Sequence, residues 1–313
     1  MPVSPEQKNL FVIQTKGTGM KYLPFIGLLI VVLAAAGCVT ENQNTPVTPA
    51  RSPAPSGTSA GEDPVAARSG YTDGQTDRIL DMTYAYDENT IYWPNAVPFN
   101  LTPESRGITE RGYWYAANFY AASEHGGTHA DAPLHFAENG RTIDQVPLEE
   151  WIGPAVKIDM REQCARDRDY LMSVDDIKNW ENKYGRIPAG AWVIMYTGIG
   201  TQYYPDPVRV LGTDKKGLSA LPELSFPAFS KESAEFLVKE RNITGIAIDT
   251  PSIDYGRSQD FFVHRVICGA NKLGLENIAS LDKLPEKGAM LYVIPMSIKG
   301  GTGAPARVFA ILP

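Results

Sequence analysis

Hydrophobic positions recur along this chain with two periods. Ile79-Leu80-Asp81-Met82 is a short apolar run that predicts a first strand. Tyr113 to Ser123, aromatic and small, suits another. Pro154 to Met160 alternates through Val156 and Ile158 and predicts a third. Ala191–Thr197 and Ile243–Ile248 are unbroken apolar runs, as expected of buried strands. A helical period takes over after Ser173, where Val174, Ile177, Trp180 and Tyr184 follow one another up to Gly185. Ser173 with Asp176 three residues on is the cap that opens such a helix. Ser230 caps a second, through Arg241, and Met290–Ile298 and Arg307–Leu312 close the chain as strands. Between Thr201 and Phe229 prolines break any period, which predicts a long surface excursion. Strands interleaved with a few helices define a mixed α/β domain.

Before Arg78 the pattern changes. An apolar stretch from Phe25 to Ala36 follows Lys16 and Lys21 and ends at Ala35-Ala36-Gly37-Cys38. Spanning a bilayer takes about 20 apolar residues, so the stretch suits a secretory signal with a small-residue cleavage site. Cysteine after Ala-Ala-Gly resembles a lipobox. It implies removal of residues 1–37, with Met20 an alternative start, and lipidation at Cys38. Residues 38–77, rich in Pro, Thr, Ser, Gly and Ala, are expected to be a disordered tether. The expected product is an extracytoplasmic, membrane-anchored lipoprotein whose folded domain spans 78–313. Net charge is −7 with no basic cluster, which argues against nucleic-acid binding. Three cysteines without a CxxC make no disulfide framework, and Cys164 and Cys268 read as inert buried thiols.

The chemistry concentrates in His125-Gly-Gly-Thr-His129-Ala-Asp131-Ala-Pro-Leu-His135-Phe136, which holds three of the four histidines. Gly126, Gly127 and Pro133 disfavour a helix, so the segment is read as a strand. Its ligand-type residues all have odd numbers and would then share one face. His129 and Asp131 would lie about 6–7 Å apart, close enough to converge on a cation, while the glycine pair must bend the chain to bring His125 in. Packing such a group without a metal would leave polar side chains competing for partners. Imidazole and carboxylate without thiolate suit Zn²⁺ or Mn²⁺.

His264 and Glu276 stand twelve residues apart, about 18 Å on one unbroken helix. Gly274 is read as the helix stop that lets the chain return Glu276. On spacing alone the pair reads as a capping histidine and a surface glutamate. Asp249, at a strand end, either orients a ligand or binds backbone. Gly300-Gly-Thr-Gly303 is a turn, not a phosphate loop, because Pro305 and a strand follow it. Trp93, in the irregular loop Tyr92-Trp93-Pro94, could wall a site for a flat substrate.

His125-x-Gly-Thr-His129-x-Asp131-x-Pro-x-His135-Phe136 resembles the signature of the cyclase family of metal-dependent hydrolases, which includes kynurenine formamidase (arylformamidase) and isatin hydrolase. The resemblance runs from about Ile79 to Pro313 and includes Tyr92-Trp93-Pro94, Gly245 to Asp254, Asp260 to His264 and Gly300 to Ala310. It implies a swivelling β/β/α-type domain, a mixed sheet or barrel-like core with flanking helices. It also implies that His125, His129 and Asp131 hold one metal, that Asp131, His264 and Glu276 hold a second in the formamidase branch, and that His135 shuttles protons. One ion or two stays open. The expected enzyme is a metal-dependent amidohydrolase cleaving a small aromatic formamide or cyclic amide, as a homodimer or larger assembly. The competing readings are a non-catalytic metal- or solute-binding lipoprotein and a polyketide-type cyclase or dehydratase.

Overall fold

Short strands with small inward residues close into a ring around two stacked tryptophans. The computed structural model describes residues 76–313; the leader, Met20, Cys38 and the tether up to Gln75 lie outside the described residues. The strands are β1 (Ile79–Asp81), β2 (Asn100–Ile108), β3 (Trp114–Ala121), β4 (His129–Asp131), β5 (Ile152–Asp159) and β6 (Leu171–Met172). They continue as β7 (Trp192–Tyr196), β8 (Ala228–Phe229), β9 (Gly245–Ile248), β10 (Leu273–Glu276), β11 (Met290–Pro295) and β12 (Gly303–Ile311). Pairing runs β12-β11-β5-β7-β9-β10-β4 and returns to β12, a closed, barrel-like mixed sheet. β5, β7, β9 and β10 are parallel, and β4, β11 and β12 run against their neighbours. Long β12 pairs with β4 through Gly303–Pro305 and with β1 through Phe309–Ile311.

Alternation decides what faces inward. Ala130, Trp192, Ile194, Ala247, Leu275 and Val308 fill the barrel with Trp151, whose ring lies 6.3 Å from that of Trp192. Gly245 must be small here, since a Cβ would sit 2.6 Å from the Trp192 ring. The outward residues Val156, Ile158, Val193, Met195, Ile246 and Ile248 pack under helices Val174–Tyr184, Lys231–Phe236 and Phe262–Gly269. Burial on both faces explains the unbroken apolar runs at 191–197 and 243–248. Both predicted caps are present: Ser173 Oγ accepts from Asp176 N–H, and Ser230 Oγ from Ser233 N–H. After Phe236 the second helix continues as a π-helical turn, Leu237–Arg241.

Two expectations are corrected. Thr201–Phe229 is not a surface excursion: it forms short helices, and Val210, Ala220, Leu224 and Phe226 are fully buried, several of them packing with Ile91 and Trp93. Its prolines break periodicity without excluding burial. The helix before Glu276 ends at Gly269, not Gly274, because Gly274 lies inside β10. The strand expected from Tyr113 to Ser123 is present as β3, and it pairs with β2, which the mixed polar sequence Asn100–Ile108 concealed, as a separate two-stranded ribbon.

Candidate metal centre and its cavity

The two three- and four-residue strands β4 and β10 position the acidic half of the site. Ala130 and Leu275 point into the barrel, so His129, Asp131 and Glu276 project outward beneath helix Phe262–Gly269. Register sets Glu276 opposite His129 and Gly274 opposite Asp131. A Cβ at Gly274 would lie 2.6 Å from Asp131 Oδ2, so glycine leaves the space the carboxylate occupies. His264 enters from the covering helix. His125 precedes β4 and is turned in by Gly127, whose φ of +57° lies in the left-handed region.

The expected single extended face from 125 to 135 is therefore corrected. Only His129–Asp131 is strand; His125 arrives by the glycine bend and His135 ends a 3-10 turn, Pro133–His135. Proline at the start of that turn ends the strand, since it has no N–H to donate to a ladder. The residues nevertheless converge. His125 Nδ1 lies 2.8 Å from Asp131 Oδ1, and His129 Nε2 lies 3.4 Å from Asp131 Oδ1 and 3.3 Å from Glu276 Oε2. His264 Nε2 lies 3.6 Å from Asp131 Oδ2 and 3.2 Å from Glu276 Oε1.

What holds each imidazole fixes its tautomer. His129 Nδ1–H donates to Gly127 O at 3.0 Å, and His264 Nδ1–H donates to Asp254 Oδ2 at 2.8 Å. Asp254 is itself held by the N–H groups of Val263 and His264. Thr302 Oγ1 gives its proton to Glu124 Oε2 at 2.6 Å, and so accepts from His125 Nε2–H at 2.9 Å. Each ring thus turns an unprotonated nitrogen toward carboxylate oxygens, lone pair against lone pair, unless a cation or proton lies between them. His129 Nε2 and Asp131 Oδ2 are buried without a hydrogen-bond partner.

The electrostatics agree. Burial opposes a charged His129, yet the carboxylates of Asp131 and Glu276 beside its Nε2 overcome it and lift its pKa to about 10. His264 is raised in the same way by Asp131, Asp254 and Glu276. Asp131 is held well below the usual carboxylate range against the effect of burial by its three histidine neighbours. A site that grips a proton this firmly is one that favours positive charge, so the residues fit a divalent metal. The ligand atoms form two overlapping groups that share Asp131: His125 with His129 and Asp131, and Asp131 with His264 and Glu276.

His135 stands outside both groups. Its ring stacks on His125, centroids 3.7 Å apart, and burial pushes its pKa down to about 3. It faces a cavity of ≈ 320 Å³ walled by Ile91, Trp93, Phe136 and Phe261, with His129 and Glu276 at its floor. Trp93 lines this cavity, its ring 6.2 Å from that of Phe261. Phe261 has a φ of +46°, an uncommon conformation for a bulky residue, and this aims its ring at the cavity. The roles of Asp254, Thr302, Glu124 and Phe261 were not legible from spacing. Asp249 binds backbone and a neighbouring hydroxyl, accepting from Thr197 N–H, Thr197 Oγ1 and Gly198 N–H. Cys164 and Cys268 are buried thiols, raised by burial to about 12.

A closed mixed sheet carrying a histidine–carboxylate cluster on its outer face defines a metal-site hydrolase scaffold. The family model described as "Putative cyclase" matches residues 80–255. An isatin hydrolase from Roseibium aggregatum is 34% identical over 211 residues, covering 64% of this chain and 77% of that protein. A kynurenine formamidase from Paracidovorax citrulli is 30% identical over 191 residues, covering 60% and 76%. The structure of isatin hydrolase A from Ralstonia solanacearum superposes with a TM-score of 0.69 at 30% identity, covering 82% of this chain and all of that one. The chain belongs to this cyclase family and is an enzyme of its metal-dependent amidohydrolase class.

Proposed function

We propose that the protein hydrolyses the C–N bond of a small aromatic formamide or cyclic amide. The observation that carries this reading is the convergence of three imidazole lone pairs on two buried carboxylates at the floor of an aromatic-walled cavity. His125, His129 and Asp131 would hold one Zn²⁺ or Mn²⁺ ion, and Asp131, His264 and Glu276 a second. When bound, such an ion supplies a Lewis acid that acidifies water and polarises a carbonyl.

The chain's own residues do the rest. Asp254, Gly127 O and the Glu124–Thr302 pair hold the three rings in the tautomer that keeps ligand nitrogens free. His135, neutral at working pH, accepts the proton lost by the attacking water and delivers it to the leaving nitrogen. Stacking on His125 keeps its ring beside the ligands without making it one. Trp93, Phe136 and Phe261 offer flat apolar contact to an aromatic ring, and the volume of ≈ 320 Å³ suits a one- or two-ring substrate. Both curated relatives reported above are named for amide hydrolysis beside an aromatic ring, which supports the same class.

The test is a panel of isatin, N-formylkynurenine, formanilide and a non-aromatic lactone. Turnover of an aromatic amide that is abolished by chelation and restored by Zn²⁺ or Mn²⁺ is expected. Tight binding of the panel without product would favour the non-catalytic binder, which His135 argues against because a pure binder needs no shuttle. Membrane tethering through Cys38 is part of the proposal. Intact mass of the mature protein should begin at a lipidated Cys38, and retention of residues 1–37 would refute it.

A further inference from the structure

The aromatic wall of the metal cavity has a second hollow against it. Ile91, Trp93 and Ala96 line the cavity of ≈ 320 Å³ and also a neighbouring groove of ≈ 470 Å³. The divide between the two is one turn of chain, closed by Ala96 N–H donating to Trp93 O at 2.9 Å. Across the groove stand helix Pro207–Leu211 and the segment after it, tied back to the turn where Gly217 N–H donates to Pro94 O at 3.1 Å. Both walls are anchored in the fold. Ile91 and Leu211 are buried in one apolar cluster with Phe226, and the Trp93 ring packs on it, 6.4 Å from that of Phe226. The lining limits what can fill the groove. Pro94, Pro98 and Pro207 have no N–H to offer, so a peptide would find few donors for its carbonyls. Val208, 48% exposed, and Leu211 present alkyl surface instead. The charged residues along it are of both signs, Glu88 and Asp214 beside Lys215 and Lys216, and Lys215 is already paired with Glu223. Such a lining gives no preference to an anion or a cation.

We propose that this groove is a second subsite of the same enzyme, taking an uncharged alkyl or aryl tail carried on the aromatic ring of the substrate. The proposal rests on the function given above and narrows its substrate class to ring-substituted aryl amides. With the scissile amide over the ligand nitrogens at the cavity floor, the end of the ring remote from the amide reaches Trp93. A substituent at that end passes the small side chain of Ala96 and lies along Val208 and Leu211. Trp93 then touches the ring from the cavity and the tail from the groove, which makes it the residue that sets tail specificity. Formanilide or isatin without a tail fills the inner cavity alone. Each methylene drawn from water into the groove raises kcat/KM about fourfold. The tail is held alike in ground state and transition state, so the gain falls in KM and leaves kcat unchanged.

The test is a series of formanilides with methyl, butyl or hexyl opposite the nitrogen, given to the metal-loaded full chain. Beside it runs photo-cross-linking with a diazirine at the end of the hexyl chain, located by peptide mass spectrometry. From methyl to butyl kcat/KM should climb about 60-fold, through KM, and the cross-links should fall within residues 207–216. Val208→Asp, at a half-exposed position, should flatten the climb, read as the ratio of butyl to methyl within each protein. Cross-linking uses the unaltered chain, so a variant that fails to fold does not remove the test. Hydrolysis that is indifferent to tail length, a Val208→Asp protein that keeps the full climb, or cross-links confined to Phe136 and Phe261 would each overturn the subsite while leaving the hydrolase reading in place. Metal-loaded protein that hydrolyses no member of the series would overturn both.

Discussion

Glu276 and His129 face each other in register across the antiparallel pair β10 and β4, with Oε2 3.3 Å from Nε2. Neither residue reaches the other through local chain geometry. The pairing of two short strands joins the metal motif to the C-terminal part of the chain, and it gives the second ligand group its acid.

Gly274→Ala places a methyl 2.6 Å from Asp131 Oδ2, and Asp131 belongs to both ligand groups. Displacing it should lower metal content at both positions and cost about 1–3 kcal/mol of stability, the usual effect of overpacking. Elemental analysis beside thermal melting checks this. An alanine variant with full metal would show that Asp131 has slack.

Asp254 touches no proposed ion, yet it holds His264 Nδ1–H and two backbone N–H groups at the start of the covering helix. Asp254→Asn should therefore weaken metal affinity about 10–100-fold with little change in fold. Competition against a chelating dye, with far-UV circular dichroism as the control, measures it.

His135→Ala should retain metal and lose about 10²–10⁴-fold in kcat. A variant with full turnover would remove His135 from the reaction.

Protonation and metal compete at His129. In the metal-free protein its pKa is lifted to about 10, above the ~6.5 of an unfolded histidine, so the proton stabilises the fold at low pH and this contribution is lost as pH rises from ~6.5 through about 10. A metal must displace that proton. Apparent affinity should thus rise roughly tenfold per pH unit for each proton released, and the gap in melting temperature between loaded and stripped protein should widen from pH 7 to 9. Chelator competition and scanning calorimetry at pH 7, 8 and 9 test the sign; a flat profile would contradict it.

Much of the core was legible because burial on both faces leaves an apolar run that no other element at 191–197 or 243–248 would need. The metal motif was legible because its ligands cluster within a few residues. What stayed hidden is set by tertiary pairing. β2 is polar in sequence and appears only once β3 pairs with it, and Gly274 looks like a helix stop until its register opposite Asp131 is known. Thr201–Phe229 hides its buried residues behind prolines. Asp254 and Thr302 act through hydrogen bonds to single ring nitrogens, for which ordinary aspartates and threonines give no local signal.

The most direct measurement is the metal content of freshly purified full chain, by elemental analysis, with aromatic-amide hydrolysis followed on the same sample before chelation, after it and after metal return. The account predicts one to two equivalents of Zn²⁺ or Mn²⁺ per chain, activity that falls and recovers with them, and loss of one equivalent from a two-metal form in Glu276→Gln. Protein free of transition metal whose hydrolysis is indifferent to adding or removing it would contradict the account.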